Sequence, residues 1–345
     1  MHVLFATHQN VALYECGVRT QMLQTKAALE ELGVTVTMFE MWKNFDSKEF
    51  DLVHIFSANM ATYHFARMLR TRNIPFVVSP VFYTRRSDRT VRSVIRIDTA
   101  LNHVVRGFWT DYGLISEMCG WANAVLPNTQ AEAHLMQYAM NVPSEHIFIV
   151  INGVEERFAD APSDLFVQQY GVKNFILYVG QIGPYRKNVH QMLSALKHVD
   201  HAAVIIGSFD DSPGSRKCLE LAKKNPRLLI IDELSHDSML LASAYCACDV
   251  FLLPSLFETP GISALEAGIA GAKIVITPHG GTRDYFGSDV IYVNPTSVSD
   301  IVKGIRKALG RKKDPALSKR IKKEFTWQRV GEKTKQVYEH VLKSM

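Results

Sequence analysis

Short apolar runs recur along the chain, each bounded by glycine, proline or charged residues and each followed by a stretch whose apolar positions repeat every three or four residues. The runs fit strands buried on both faces, and the stretches fit amphipathic helices. Val3 to Ala6 begins the series. A loop from Thr7 to Cys16 then leads to Gly17 and a helix with apolar positions Met22, Leu23, Ala27, Leu29 and Leu32, ended by Gly33. Strands follow at Val34 to Phe39, Leu52 to Phe56 and Phe76 to Val78, with a helix at Met60 to Leu69. Thr84 to Trp109 interrupts the alternation with a predicted helix on which Arg85, Arg89, Arg92 and Arg96 share one face. The alternation resumes with helix Ser116 to Trp121, strand Ala124 to Leu126, helix Gln130 to Tyr138 and strand Ile147 to Val150. Repeated β-α of this kind predicts a parallel sheet.

The Asn152-Gly153 turn and the polar segment Glu155 to Asp164 read as a linker. A second series has strands at Ile176 to Val179, Ala203 to Ile206, Leu228 to Ile231, Val250 to Leu253, Ile274 to Thr277 and Val290 to Val293. The last helices, Val298 to Leu309 and Trp327 to Leu342, are basic and amphipathic. The expected division is a domain over 1–155, a second over 165–325, and a C-terminal helix, 326–345, that packs back on the first. Two doubly wound domains leave a cleft between their carboxyl edges, which suits a donor on one wall and an acceptor on the other.

The stretch Asp249 to Tyr285, DVFLLPSLFETPGISALEAGIAGAKIVITPHGGTRDY, is the densest in candidate chemistry. After the strand, Glu258 lies in a loop, and Thr259-Pro260-Gly261 offers a cap residue, a proline suited to a first helical turn and a backbone without side-chain bulk. The helix that follows has an apolar side at Ile262, Leu265, Ala267 and Ile269 and carries Glu266 on its second turn. Gly268 and Gly271 are expected to allow close packing before the next strand. Ligands of open α/β sheets bind at the carboxyl edge, and free N–H groups at a helix start attract phosphate. The expectation is a phosphate-bearing sugar donor.

Size and composition fit this picture. A chain of 345 residues exceeds what one hydrophobic core usually organises, and 47% hydrophobic with 21% charged residues is ordinary for a globular protein. No apolar run is long enough to span a membrane, and MHVLFATHQN lacks a signal-peptide pattern, so a cytoplasmic location is expected. Cys16, Cys119, Cys218, Cys246 and Cys248 are scattered and form no C-x-x-C pair, which reads as free thiols. The net charge of +5 is modest, no nucleic-acid motif accompanies it, and the basic segment Arg311 to Lys323 reads as a solvated surface.

The chain resembles a family 4 glycosyltransferase of the GT-B fold over nearly its whole length. The resemblance rests on E-x7-E, Glu258 and Glu266, set in PSLFETPGISALEAGIAG, and on YVGQIGPYRKN, INGVEERF, VLPNTQAEAHL and GVRTQMLQTKAALEELG. ETPGISALEA with GGTRDYFG is closest in flavour to bacterial O-antigen and capsule transferases. The resemblance implies transfer of a hexose from a nucleotide diphosphate sugar to a glycan or lipid-linked acceptor, with retention of configuration and without a metal or other cofactor. The sequence contains no D-x-D pair, in keeping with the last point.

On this reading Arg186 and Lys187 balance the leaving diphosphate, with Gln181 and backbone N–H groups near Gly17 and at Gly261 and Ile262 sharing the load. By analogy Glu266 accepts from the ribose hydroxyls, and Glu258 faces the hexose. Two positions depart from the family pattern. Gly180-Gln181 stands where many relatives have Gly-Arg, and Ser79-Pro80 stands where many have a histidine, for which His54 and His8 are candidate substitutes. Asp232, Glu233 and Leu234 lie either near the base or in a plain turn. The four arginines, partly neutralised by Asp88 and Asp98 and aided by Phe108 and Trp109, read as a contact for anionic lipid or a lipid-linked pyrophosphate. The alternatives are a GT-B-like binding subunit without catalysis and a nucleotide-sugar epimerase of similar fold, which the E-x7-E segment disfavours.

Overall fold

The computed structural model describes residues 1–345 apart from 14, 15, 103, 106 and 210. It divides into two compact units, one formed by Met1–Gly153 with Trp327–Met345 and the other by Val154–Thr326.

The first unit is a parallel sheet of β1 (His2–Ala6), β2 (Thr35–Met38), β3 (Leu52–Phe56), β4 (Phe76–Ser79) and β5 (Ala124–Val125), in the order β2-β1-β3-β4-β5. Apolar side chains cover both faces, as parallel sheets require. One face packs on the helices Met60–Thr71 and Asp111–Trp121, through Tyr63, Ala66, Leu69, Leu114, Ile115 and Met118. The other packs on Met22, Ala28 and Leu29 of helix Gly17–Glu31 and on Val330, Val337, Tyr338 and Val341 of helix Trp327–Lys343. A Cβ on Gly331 would lie 2.8 Å from Ala28 Cβ, so only glycine lets these two helices approach so closely. Lys335 Nζ donates to the Leu32 carbonyl at 2.9 Å, placing a cation at the end of helix Gly17–Glu31.

The second unit is a six-stranded parallel sheet of β6 (Ile176–Val179), β7 (Ala203–Ile206), β8 (Leu228–Ile231), β9 (Val250–Leu253), β10 (Lys273–Ile276) and β11 (Ile291–Tyr292), ordered β11-β10-β9-β6-β7-β8. The order reverses between β6 and β9. The chain leaves β6 toward β7 on one side and later returns to β9 on the other, so a crevice opens at the carboxyl ends of these two strands, where open α/β sheets bind ligands.

Several expected elements differ. Ile147 to Val150 forms no strand: Ile147 makes an isolated bridge to Val125, and Phe148 N and Val150 N bond to the carbonyls of Val125 and Pro127. The helix expected over Thr84 to Trp109 spans Asp88–Asn102, and Arg85 lies in the bend before it. Residues 103 and 106 of that stretch, and 14 and 15 of the first loop, lie outside the described residues. Gln130 to Tyr138 is helical as expected, but the helix changes from α (Gln130–His134) to π (Leu135–Ala139). The linker is not simply polar, since Phe158 is fully buried among helices of the second unit.

Replacement of Gly331 by valine forces Ala28 and its helix away, and overpacking of this kind costs about 1–3 kcal/mol. Thermal denaturation should show a clear drop in midpoint for Gly331→Val, whereas an unchanged midpoint would mean that the helix pair does not hold its observed spacing.

Candidate functional site

The loops after β6, β9 and β10 are knitted together at the crevice. After β6, Gly180 (φ +150°) and Gly183 (φ +128°) adopt backbone conformations that side chains disfavour, and Tyr178 Oη donates to the Gln181 carbonyl at 2.9 Å. Gln181 itself is half-buried beside that turn. A Cβ on Gly207, after β7, would lie 1.9 Å from the Gly180 carbonyl oxygen. The segment ends in a 3-10 turn, Tyr185–Lys187, and Asn188 follows at φ +55° with its amide donating to the carbonyls of Pro254 and Pro295 at 2.9 and 2.7 Å. Leu256 N bonds to the Arg186 carbonyl at 2.8 Å. Glu258 N bonds to the His279 carbonyl at 3.1 Å, and a Cβ on Gly280 would lie 1.9 Å from the Glu258 carbonyl oxygen.

This scaffold brings Arg186, Lys187 and Glu258 together. Arg186 Nη1 lies 2.8 Å from Glu258 Oε2, and Lys187 Nζ lies 2.9 Å from Glu258 Oε1. Arg186 also donates to the Phe257 carbonyl at 3.2 Å. Burial alone would raise the Glu258 pKa, but the two cations outweigh it and hold the carboxyl at about 2. Burial lowers the Lys187 pKa against the pull of Glu258, whereas Arg186, with 38% of its side chain exposed, is raised by the same carboxylate. The cluster is therefore two cations on one anion.

Helix Ile262–Ile269 does not begin on a threonine cap. Gly261 is its N-cap, in the left-handed conformation at φ 70°, and Thr259 and Pro260 precede the helix. A side chain at that φ is strained, and the first N–H groups of the helix have no intrahelical partner. Gly268 packs closely, since a Cβ there would lie 2.6 Å from Ile321 Cδ1; Gly271 has open space around it and instead serves a turn at φ +84°.

Glu266 is buried on the second turn of that helix. His236 Nε2 lies 2.8 Å from its Oε1, and Tyr245 Oη donates to its Oε2 at 2.6 Å. Burial opposes protonation of His236, but Glu266 and Glu155 more than offset this and raise its pKa. Burial and the Glu266 charge push the Tyr245 phenol well up. His236, Tyr245, Glu155 and Arg157 were not singled out by the sequence reading. The available signals were INGVEERF, which contains Glu155 and Arg157, and the loop begun by Asp232, Glu233 and Leu234, which carries His236 four residues past Asp232.

In the first unit, Gly17 opens helix Gly17–Glu31 at the loop after β1, where that sheet's order also reverses. His54, a candidate substitute for the histidine of the family pattern, is a core residue: its ring is buried, with Nδ1 2.6 Å from Tyr338 Oη and Nε2 2.9 Å from Ser79 Oγ, and burial lowers its pKa to about 3. His8 is half-buried, and burial lowers its pKa as well. Arg85, Arg89, Arg92 and Arg96 are exposed, but Arg92 donates to the Tyr138 carbonyl and is pinned there. Asp98 does not neutralise them, because it turns inward and accepts from Thr110 Oγ1 at 2.8 Å; Asp88 lies 3.6 Å from His134. Among the described residues no cluster of His, Cys, Asp and Glu has the form of a metal site, and no helix is long and apolar enough to cross a membrane.

Glu258 has a lower pKa in the fold than in the unfolded chain, so its contribution to stability is present above the unfolded carboxylate value of about 4.3 and is lost as pH falls toward about 2. In denaturant unfolding, Glu258→Gln should be less stable than wild type by on the order of 3 kcal/mol near neutral pH, with the gap closing in acid. A gap that does not change with pH would contradict the ion cluster.

Residues 166–325 match the model of glycosyl transferases group 1. An uncharacterised glycosyltransferase of Methanocaldococcus jannaschii is 23% identical over 231 residues, which is 59% of this chain and 57% of that protein. The chain thus spans little more than half the length of that relative. Among solved structures, sucrose-phosphate synthase from Thermosynechococcus elongatus aligns with a TM-score of 0.78 at 16% identity over 100% of this chain and 99% of that one. Anabaena HepE, solved in complex with UDP, aligns with a TM-score of 0.72 at 16% identity over 99% and 100% of the two chains. The two parallel-sheet units therefore have the GT-B fold, and residues 166–325 of the second resemble glycosyl transferases group 1.

Proposed function

We propose that the protein is a metal-independent, retaining glycosyltransferase that moves a hexose from a nucleotide diphosphate sugar to a glycan or lipid-linked acceptor in surface polysaccharide synthesis. The observation that carries this reading is the Arg186–Lys187–Glu258 cluster at the β6/β9 crevice, inside the stretch that matches glycosyl transferases group 1. A structural neighbour, HepE, was solved in complex with UDP, which supports a nucleotide donor.

In the transfer, the bond between the anomeric carbon and the diphosphate oxygen breaks and a bond from the acceptor hydroxyl forms on the same face. The acceptor proton passes to the departing phosphate oxygen. Charge then accumulates on the diphosphate, where Arg186 and Lys187 stabilise it, while Glu258 faces the positive charge growing on the sugar. Positioning and electrostatics suffice, and no separate base is required. As the donor arrives, its phosphates compete with Glu258 for the two cations, which frees the carboxylate to turn toward the hexose.

The surface of the first unit supports contact with anionic lipid. Arg85, Arg89 and Arg96 are exposed, and Ile97, Phe108 and Trp109 are exposed in or beyond the same helix. Each basic residue near such a surface contributes about 1 kcal/mol.

Nucleotide binding, sugar transfer and vesicle binding test these readings. One of UDP, GDP, dTDP and ADP should raise the thermal midpoint, with about 2.7 kcal/mol of stabilisation at a hundredfold excess over its dissociation constant. Sugar transfer from the matching donor should persist in EDTA. Lys187→Ala should weaken nucleotide binding, whereas Glu258→Gln should strengthen it and abolish transfer; no response to any nucleotide would reject the donor site. For the lipid surface, Arg85, Arg89 and Arg96 changed together to glutamine should lower binding to phosphatidylserine vesicles by about two orders of magnitude, and unchanged binding would reject that contact.

A further inference from the structure

Glu266 is held by two donors from different elements, one on each oxygen: His236 in the loop after β8 and Tyr245 in helix Met239–Ala247. A carboxylate offers about four lone-pair sites, so each oxygen retains capacity for one more donor. Two donors on opposite oxygens fix both the tilt and the rotation of the group, which a single phenol would leave free to turn.

His236 is in turn boxed on its far side. Its Nδ1 lies 3.4 Å from Arg157 Nη2, 3.5 Å from Glu155 Oε2 and 3.8 Å from Asp237 Oδ1. Arg157 also donates to the His236 backbone carbonyl, pairs with Glu155 Oε1 at 3.0 Å and lies 4.1 Å over the Phe158 ring. Phe158 meets the imidazole at a ring separation of 5.4 Å and Tyr245 at 5.5 Å. With carboxylates of Glu266 and Glu155 at its two nitrogens, the doubly protonated imidazole is favoured, and in that form Nε2–H donates to Glu266.

We infer that His236 is a positioning residue for the nucleotide half of the donor: backed by Glu155 and Arg157, it orients the Glu266 carboxylate so that the remaining lone pairs meet the ribose hydroxyls. This rests on the proposed nucleotide-sugar reading. The expected signature is selectivity for ribose, because a buried carboxylate left without its hydroxyl partners penalises a sugar that lacks them.

The test is calorimetric titration of the full chain with UDP, GDP and ADP, and with the 2′,3′-dideoxy counterpart of whichever binds. Wild type should prefer the ribonucleotide by about tenfold or more, as expected for hydrogen bonds to a charged group. His236→Gln keeps a donor at the position of Nε2 and should retain that ratio. His236→Asn places its amide nitrogen at the position of Nδ1, out of reach of Glu266, and should bring the ratio to within about threefold. Both variants are polar and smaller than histidine, so a general loss of packing lowers the affinities together and leaves the ratio unchanged. An asparagine variant with the wild-type ratio, or equal loss in both variants, overturns the role of His236. Wild type that binds a nucleotide without distinguishing the ribose overturns this inference alone, and wild type that binds none overturns the donor reading as well.

Discussion

The Glu258 carboxylate between Arg186 and Lys187 ties together the loops after β6 and β9 of the second unit. Lys187 is nearly buried, and an unpaired ammonium there would cost several kcal/mol. Its partner comes from a loop on a different strand, so the loops after β6 and β9 must sit in register for either charge to be tolerated. That requirement explains the glycines around the crevice. Gly180 passes against the backbone at Gly207, and Gly280 passes against the backbone at Glu258, each at a distance that a Cβ would forbid. The sheet order places the crevice there, and the ion cluster fixes its shape.

The two glutamates, eight residues apart, occupy different electrostatic settings. Glu258 is surrounded by full positive charges and is strongly acidic. Glu266 is met by a phenol and an imidazole, groups that orient a carboxylate with less neutralisation. The first setting suits a group that must remain ionised beside a changing charge. The second suits a group that must hold still and accept hydrogen bonds. One helix turn and one left-handed glycine, Gly261, separate the two settings.

Much of this was legible in the sequence because parallel strands are buried on both faces and announce themselves as apolar runs. β3, β6, β7, β8 and β9 fall where the runs predict. The failures have physical causes. Ile147 to Val150 is apolar enough for a strand but lies at the edge beside β5, a strand of only two residues, and makes scattered bonds instead of a ladder. Four arginines at helical spacing suggest one continuous face, but a helix that starts at Asp88 excludes Arg85, and Arg92 directs one nitrogen to the Tyr138 carbonyl. Thr259 and Pro260 carry helix-start signals, but the chain must first turn through Gly261. Partners such as His236 and Tyr245 left no local pattern, because a contact between a loop after β8 and a helix after β9 depends on the sheet order, which periodicity does not encode.

In the first unit, the carboxyl end of β4 is built around a buried acid. At the end of β4, Ser79 is hydrogen-bonded to a core imidazole, and Val81 follows with φ 51°, a strained conformation for a β-branched residue. That turn is clamped by Glu132, whose carboxylate accepts from Phe82 N at 2.7 Å and Asn128 N at 2.8 Å; burial pushes its pKa up to about 7 against those bonds. The strain at Val81 is therefore fixed by a buried acid and by backbone donors, with no ionisable side chain between Ser79 and Phe82. Glu132, itself buried, holds the turn through these backbone donors. If transfer proceeds as proposed, the proton of the acceptor hydroxyl leaves with the diphosphate, and the electrostatic stabilisation rests on Arg186, Lys187 and Glu258 of the second unit.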